Sequence, residues 1–432
     1  MHKRLKKHHI VVAIVFMLMI AAFMGTGIAT KVLATQSETY EKLKIFSEVL
    51  YLIQTNYVEE VDIQDVIYGG IHGMLKVLDA HSSFMPPEVY GEMQVETRGN
   101  FGGLGIQIAI KDDQLTVIAP IDDTPAFRAG IEAGDRIVKI EETSTRDMLL
   151  MEAVKLLRGP RGTDVTISVM RDSFEKPKEF TITRDIIEIK SATSRMLFEG
   201  IGYVRLRQFT EKTADELEDS LNELEAKGME AAILDLRSNP GGLLNSAVDV
   251  SDKFLEKGKL IVYTEGRSKN QAMRFVAHDD FTHPNYPMVI LVNHGSASAS
   301  EIVAGALQAH SRAIVIGTQT YGKGSVQSVI PLSDNSGLRL TTAKYYTPDG
   351  LSIHETGITP DIVVEFDPPA TVTEEETEDE SEETPADVSE EEEDDGKTPE
   401  DLEVEQMIDR DPQLQRAMDV LKGVLVFERK LV

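Results

Sequence analysis

The chain of 432 residues contains no cysteine. That absence excludes disulfides, thiolate metal sites and a cysteine nucleophile, while leaving the compartment open. Basic residues are scarce: Lys plus Arg number 44 against 73 Asp plus Glu, a formal net charge of −29. Such a balance argues against a partner held through its phosphate backbone, so nucleic acid is set aside. The Gly-x-x-x-x-Gly-Lys-Ser/Thr spacing of a phosphate loop is missing. No histidine–carboxylate cluster has metal-ligand spacing, and no metal or cofactor is implied.

The acidity is uneven. Residues 371–400 hold 16 acidic side chains and one Lys, a charge of −15, so the remaining residues carry −14. Residues 367–400 are too polar to bury a core and read as a disordered acidic linker. At the other end, Lys3, Arg4, Lys6 and Lys7 precede a run without charge from residue 10 to residue 30. At about 1.5 Å per residue that run reaches roughly 31 Å, enough to span a bilayer. The basic flank stays inside, so the rest of the chain is expected to be exported. Two readings of residues 1–34 remain open: a membrane anchor, or a signal peptide cut after Ala34 in Val32-Leu33-Ala34.

Between these ends, length and an apolar content of 41% allow several cores. Residues 35–98 read as a helical region, with Leu43, Phe46, Leu50 and Ile53 on one face and a break at Pro86-Pro87. Residues 99–185 change to short β-like runs at 104–110, 115–119, 136–140, 165–171 and 179–183. Two helices are expected among them, one opened by Thr124-Pro125-Ala126 and one at 149–157. In residues 186–366 strands and helices alternate, which predicts an α/β sheet, largely parallel, covered by helices. Thr213 with Glu216 three later reads as a capping box there. After the linker, Asp411-Pro412 opens a helix within 401–432, carrying Leu414, Ala417, Met418, Leu421 and Leu425 on one face. Such a helix docks on its own chain or on a second copy, and an arm for dimer contacts is the expectation.

Four stretches carry the chemistry. Gly102-Gly103-Leu104-Gly105-Ile106 is either an ordinary glycine hairpin or a nest of N–H groups for a peptide carboxylate, beside a strand edge that accepts the peptide. Asp235-Leu236-Arg237-Ser238-Asn239-Pro240-Gly241-Gly242 closes an apolar strand and opens a helix, where N–H groups suit a developing oxyanion. Gly295-Ser296-Ala297-Ser298-Ala299-Ser300-Glu301-Ile302 repeats that strand-to-helix design around hydroxyls, which serve as helix caps or as a nucleophile. Thr320-Tyr321-Gly322-Lys323-Gly324-Ser325-Val326-Gln327 sets a lysine between glycines after an apolar strand. A buried lysine loses its charge readily and can act as a base toward serine. If Gln327 orients that amine, the chain between 322 and 327 should bend. His294, His310 and His354 offer a rival serine–histidine arrangement, but each reads better as a surface histidine.

The last three motifs, in this order, resemble the carboxyl-terminal processing peptidases, or tail-specific proteases; Leu78-Asp79-Ala80-His81-Ser82-Ser83-Phe84 and residues 345–353 fit as well. Residues 99–185 resemble a PDZ domain. The likeness covers residues 40–366 and implies an α/β protease core, crotonase/ClpP-like, with an inserted PDZ domain. It implies a serine endopeptidase with Ser298 as nucleophile, Lys323 as base and Gln327 positioning the base. The backbone N–H groups of Gly241 and Ala299 would bind the oxyanion. Gly102, Gly103, Leu104, Gly105 and Ile106 would receive the non-polar C-terminus of a protein or peptide substrate. Arg158 and Arg161, flanking Gly159-Pro160, are candidates for coupling tail binding to cleavage. A homodimer is expected. The sequence departs from the family pattern at Ala80, Leu351 and His354, near the substrate floor and away from the dyad. Two other readings are weaker: an acyl-CoA enzyme of crotonase type, which has little use for a PDZ domain, and a PDZ adaptor without catalysis.

Overall fold

The computed structural model describes residues 40–111, 113–268, 271–278, 283–365 and 399–431. The charge-free run at 10–30 and the acidic linker as far as residue 398 lie outside them. No helix among the described residues is long and apolar enough to cross a membrane.

The described residues from 40 to 84 form one compact unit. It holds a helix at residues 40–56 and a second, Ile63–Lys76, capped by Asp62, which accepts the Gln64 N–H at 2.7 Å. Leu43 and Phe46, on the expected apolar face, remain exposed.

The second unit runs from Met85. Helix Pro87–Arg98 starts at a proline and stops at Gly99, whose φ of +71° suits glycine. A small antiparallel sheet follows, in the order Ile106–Lys111, Gln114–Pro120, Arg136–Ile140, Asp164–Met170, Lys178–Thr183. Helices Pro125–Arg128 and Leu150–Leu157 cover it, and Leu115, Val117, Ile137, Ala153, Val165 and Ile167 fill its core. The five β-like runs of the sequence are these five strands. One pairing was not anticipated: Asn100–Gly103 lies antiparallel to Asp185–Glu188 and closes the domain at its neck.

The larger sheet has the order Ala192–Met196, Ile201–Leu206, Ala231–Asp235, Met288–Val292, Ile314–Gly317, Ile362–Val363. Its first pair is antiparallel and the rest are parallel, as the alternation predicted. Side chains alternate across each strand, and both sets are apolar, so the sheet must be covered twice. Val204, Leu234, Ile290 and Val315 face helices Thr213–Ala226, Leu244–Asp252 and Ala299–Ala309. Tyr203, Ile233, Val289 and Ile316 face Leu414, Ala417, Met418, Leu421 and Leu425 of helix Pro412–Leu431. Of the two dockings expected for this helix, the apolar stripe takes the one on its own chain. The apolar stripe is spent on the chain's own sheet, whose second face would otherwise be bare. The segment 401–432 is also two helices rather than one, since Pro399–Asp409 precedes a fresh start at Pro412.

The capping box is corrected as well. Lys212 is the N-cap residue, and the Thr213 hydroxyl accepts the Thr210 N–H at 2.9 Å. Glu216 instead reaches the neighbouring edge strand, accepting the N–H groups of Ser191 and Ala192 at 2.7 and 3.1 Å. The carboxylate thereby fastens the start of the edge strand to the helix.

An antiparallel ribbon completes the unit: Ser325–Pro331, Gly337–Tyr346, Leu260–Gly266, Arg274–Val276. Leu221 is 1% exposed between helix and sheet. Leu221→Ala should lower unfolding free energy by about 2–5 kcal/mol, measured by urea denaturation of the peptidase domain in the intact chain.

Candidate active site

Two buried parallel strands, Ala231–Asp235 and Met288–Val292, end side by side and each opens into a helix. This is where an open α/β sheet binds its ligands. At the end of the second, Ser298 is the N-cap of helix Ala299–Ala309, with φ +56° and ψ −111°. That backbone is costly for a residue with a Cβ, and its surroundings must hold it. Glu301 does so, its carboxylate accepting the Ser298 N–H at 2.7 Å. The Ala299 N–H makes no hydrogen bond among the described residues.

Glu301 is fully buried and reaches further. It accepts the Thr320 hydroxyl at 2.6 Å, the Gly322 N–H at 2.7 Å and the Lys323 N–H at 2.9 Å. One carboxylate therefore ties the serine turn to the lysine loop. Burial pushes its pKa up, against these hydrogen bonds that favour the charge. Lys323 and Ser298 line one cavity of about 330 Å³, together with Gly241, Ala299 and Gln327. Burial lowers the Lys323 pKa, Arg339 in the same cavity lowers it further, and Glu301 opposes both. Lys323 Nζ and Ser298 Oγ share no hydrogen bond among the described contacts; the Tyr345 hydroxyl lies beside Ser298 and donates to the Lys323 carbonyl. Gln327 also faces the cavity, but its Nε2 donates to Ser325 Oγ at 2.8 Å. The strand slips in register between Val326 and Gln327, and no hydrogen bond joins Gln327 to Lys323 among the described contacts.

Gly241 sits at the other wall. A side chain there would meet Ala297 O at 2.7 Å, Ser298 Cβ at 2.8 Å and Ala299 N at 2.9 Å, and φ is +97°. Its N–H, expected as an oxyanion donor, is occupied in this conformation by Asn239 Oδ1 at 2.9 Å. Asn239 is itself fully buried and donates to Leu206 O. His294, His310 and His354 do not line the cavity.

The small β domain has its own groove, between strand Ile106–Lys111 and helix Leu150–Leu157. Gly103, Leu104, Gly105, Ile106, Ile108, Val154 and Leu157 line it. Gly102 does not. It belongs to the neck strand, where its carbonyl accepts the Gly159 N–H at 3.0 Å and a Cβ would strike Gly159 O. The chain turns three residues later, at Gly105 with φ +78°. The N–H groups of Leu104 and Gly105 are unpaired among the described residues. Arg158 borders this groove, lies 4.5 Å over the Phe101 ring and pairs with Glu92 at 4.0 Å. Glu92 is on helix Pro87–Arg98, whose Met93, Glu96 and Thr97 line the cavity holding Ser298. Arg161 pairs instead with Asp185 at 2.8 Å and lines neither.

Comparison with known families accounts for these parts. The model of Peptidase family S41 matches residues 200–364, a PDZ domain matches 102–183, and the Activating protease CtpB N-terminal domain matches 21–89. The carboxy-terminal-processing protease of Bartonella bacilliformis is 48% identical over 359 residues, 82% of this chain and 81% of that one. The chain belongs to the carboxyl-terminal processing serine proteases of family S41. Bacillus subtilis CtpA is 37% identical over 315 residues, covering 73% of this chain and 67% of that protein. A solved structure, the photosystem II D1 C-terminal processing protease, is 28% identical with a TM-score of 0.43, covering 74% of this chain and 92% of that chain.

For this S41 protease, sequence reasoning missed Glu301, Asn239, Arg339 and Tyr345. Glu301 and Asn239 stood inside quoted motifs, where the small residues around them hinted only at helix starts. Gly241→Ala should cut proteolysis by at least about 100-fold, the scale of losing oxyanion stabilisation. Tail-peptide affinity of the PDZ domain should stay unchanged, as measured by fluorescence anisotropy.

Proposed function

We propose that this protease works outside the cytoplasm, binding the non-polar C-termini of unfolded proteins in its PDZ groove and cutting peptide bonds with Ser298 and Lys323. The observation that carries the reading is the shared cavity, in which a serine on a strained turn and a half-buried lysine are tied to one carboxylate. Lys323 Nζ, whose pKa burial lowers, takes the Ser298 Oγ proton in its unprotonated form as Oγ adds to the substrate carbonyl. The Ala299 N–H meets the oxyanion, joined by Gly241 when Asn239 releases it. The proton then passes to the departing amine as the C–N bond breaks, and water hydrolyses the acyl-serine with the same lysine as base. Gln327, which lines the same cavity, positions the amine once its Nε2 leaves Ser325 Oγ. The free N–H groups of Leu104 and Gly105 suit a terminal carboxylate, and Ile106, Ile108, Val154 and Leu157 suit an apolar last side chain. Arg158 is the better coupling residue, since it borders the groove and pairs with the helix that borders the cavity.

Ser298→Ala and Lys323→Ala should each abolish cleavage of an unfolded substrate while keeping tail-peptide binding; turnover by Lys323→Ala at the parent rate defeats the dyad. The lysine pKa is depressed from its ordinary 10.5, so cleavage should rise with pH through that lowered value. Arg339→Gln removes a neighbouring positive charge, so the rising limb should move to higher pH, read from kcat/KM between neutral and alkaline buffers.

Residues 1–34 supply the export signal and, if uncut, the membrane anchor. Tyr40, Leu43, Phe46, Val49 and Tyr51, exposed on the helix at 40–56, supply an apolar surface for a second copy. Fractionation should find the chain with membranes, accessible to protease from the outer side, and light scattering should give a dimer. A cytosolic monomer contradicts both parts.

A further inference from the structure

The loop that brings Pro240, Gly241 and Gly242 to the cavity begins at the buried end of strand Ala231–Asp235. Three residues before Pro240 stands Arg237, whose side chain is 10% exposed. It is gripped on two sides. Asp235, fully buried, takes Nη2 at 2.7 Å, and Asp411 takes Nη1 at 2.7 Å. Asp235 also accepts the Tyr203 hydroxyl at 2.6 Å, and Gln413 Oε1 lies 3.2 Å from Arg237 Nη1. Burial alone would strip charge from the guanidinium, but the two carboxylates hold its pKa above the ordinary range.

Asp411 does a second task. Its other oxygen accepts the Leu414 N–H at 2.9 Å and so starts the C-terminal helix. Gln413 fastens the same turn, donating to Val364 O at 2.8 Å. One residue thus begins the helix that covers the sheet and holds the arginine at the root of the glycine loop.

We propose that the C-terminal helix is a positioning element for catalysis: seated on the sheet, it uses Asp411 to hold Arg237 and thereby fixes residues 238–242 against Ser298, and lifted from the sheet it releases that loop. The proposal rests on Ser298 being the nucleophile. Without the Asp411 charge, the guanidinium keeps Asp235 on one side but only the neutral Gln413 Oε1 on the other, and turns toward water to replace its lost carboxylate. Ser238, at φ +55° between Arg237 and Asn239, would be drawn with it, and Asn239 carries the hydrogen bonds that shape Gly241.

The test uses the full chain. Asp411→Asn keeps an oxygen for the Leu414 N–H but removes the charge facing Arg237. Its kcat on an unfolded substrate should fall on the order of 100-fold with KM kept within about twofold, the split expected of lost positioning. Asp411→Glu should recover part of the rate, and PDZ affinity for a tail peptide should match the parent in both. Leu421→Asp, which leaves Asp411 in place, should expose residues 399–431 to limited proteolysis and lower kcat by the same order. Parent kcat in Asp411→Asn overturns the proposal, as does parent kcat in Leu421→Asp whose helix is cut by the added protease. If Ser298→Ala still cleaves, the nucleophile reading falls instead, and that result is separate from the other two.

Discussion

The peptidase core depends on how a carboxylate can be kept in a dry place. Glu301 has no solvent, yet four donors surround it: the N–H groups of Ser298, Gly322 and Lys323 and the Thr320 hydroxyl. Enough hydrogen bonds offset the loss of water, and any missing one would leave charge exposed to an apolar interior. The constraint works both ways. Because Glu301 needs those donors, the loop at 320–323 must stay folded over the helix start, and the serine turn must stay strained. Asn239 performs a related task opposite. Its backbone carbonyl accepts the Ala297 N–H and the Ser300 hydroxyl, while its side chain spans from Leu206 O to the Gly241 N–H. Two buried polar side chains thus set the walls of the cavity.

The second face of the large sheet explains the C-terminus. Parallel strands are apolar on both sides, and the helices interleaved with the strands cover one side only. Helix Pro412–Leu431 supplies the other cover from far along the chain. Each fully buried leucine there contributes about 1.5–3 kcal/mol.

Much of this was legible in the sequence, for physical reasons. Alternation of strand and helix showed the sheet because apolar runs such as residues 231–236 have no other place to go. The serine and lysine stood out because small residues and glycines around them spoke of close backbone approach. What stayed hidden depends on meetings across long separations. Gly102 looked like part of a turn, but its partner strand, Asp185–Glu188, lies more than eighty positions on. Glu216 looked like a cap until Ser191 and Ala192 were found to need its oxygens. The engagement of the Gly241 N–H by Asn239, and the presence of Arg339 beside Lys323, follow from side-chain placement alone. The exposed apolar face of the helix at 40–56 had the right spacing, and spacing does not say what covers it.

Strand Ser325–Pro331 pairs with Gly337–Tyr346 and with no other described strand, and its Ser325, Val326, Gln327 and Val329 border the cavity. Its bare edge can be matched only by backbone whose own amides are unspent.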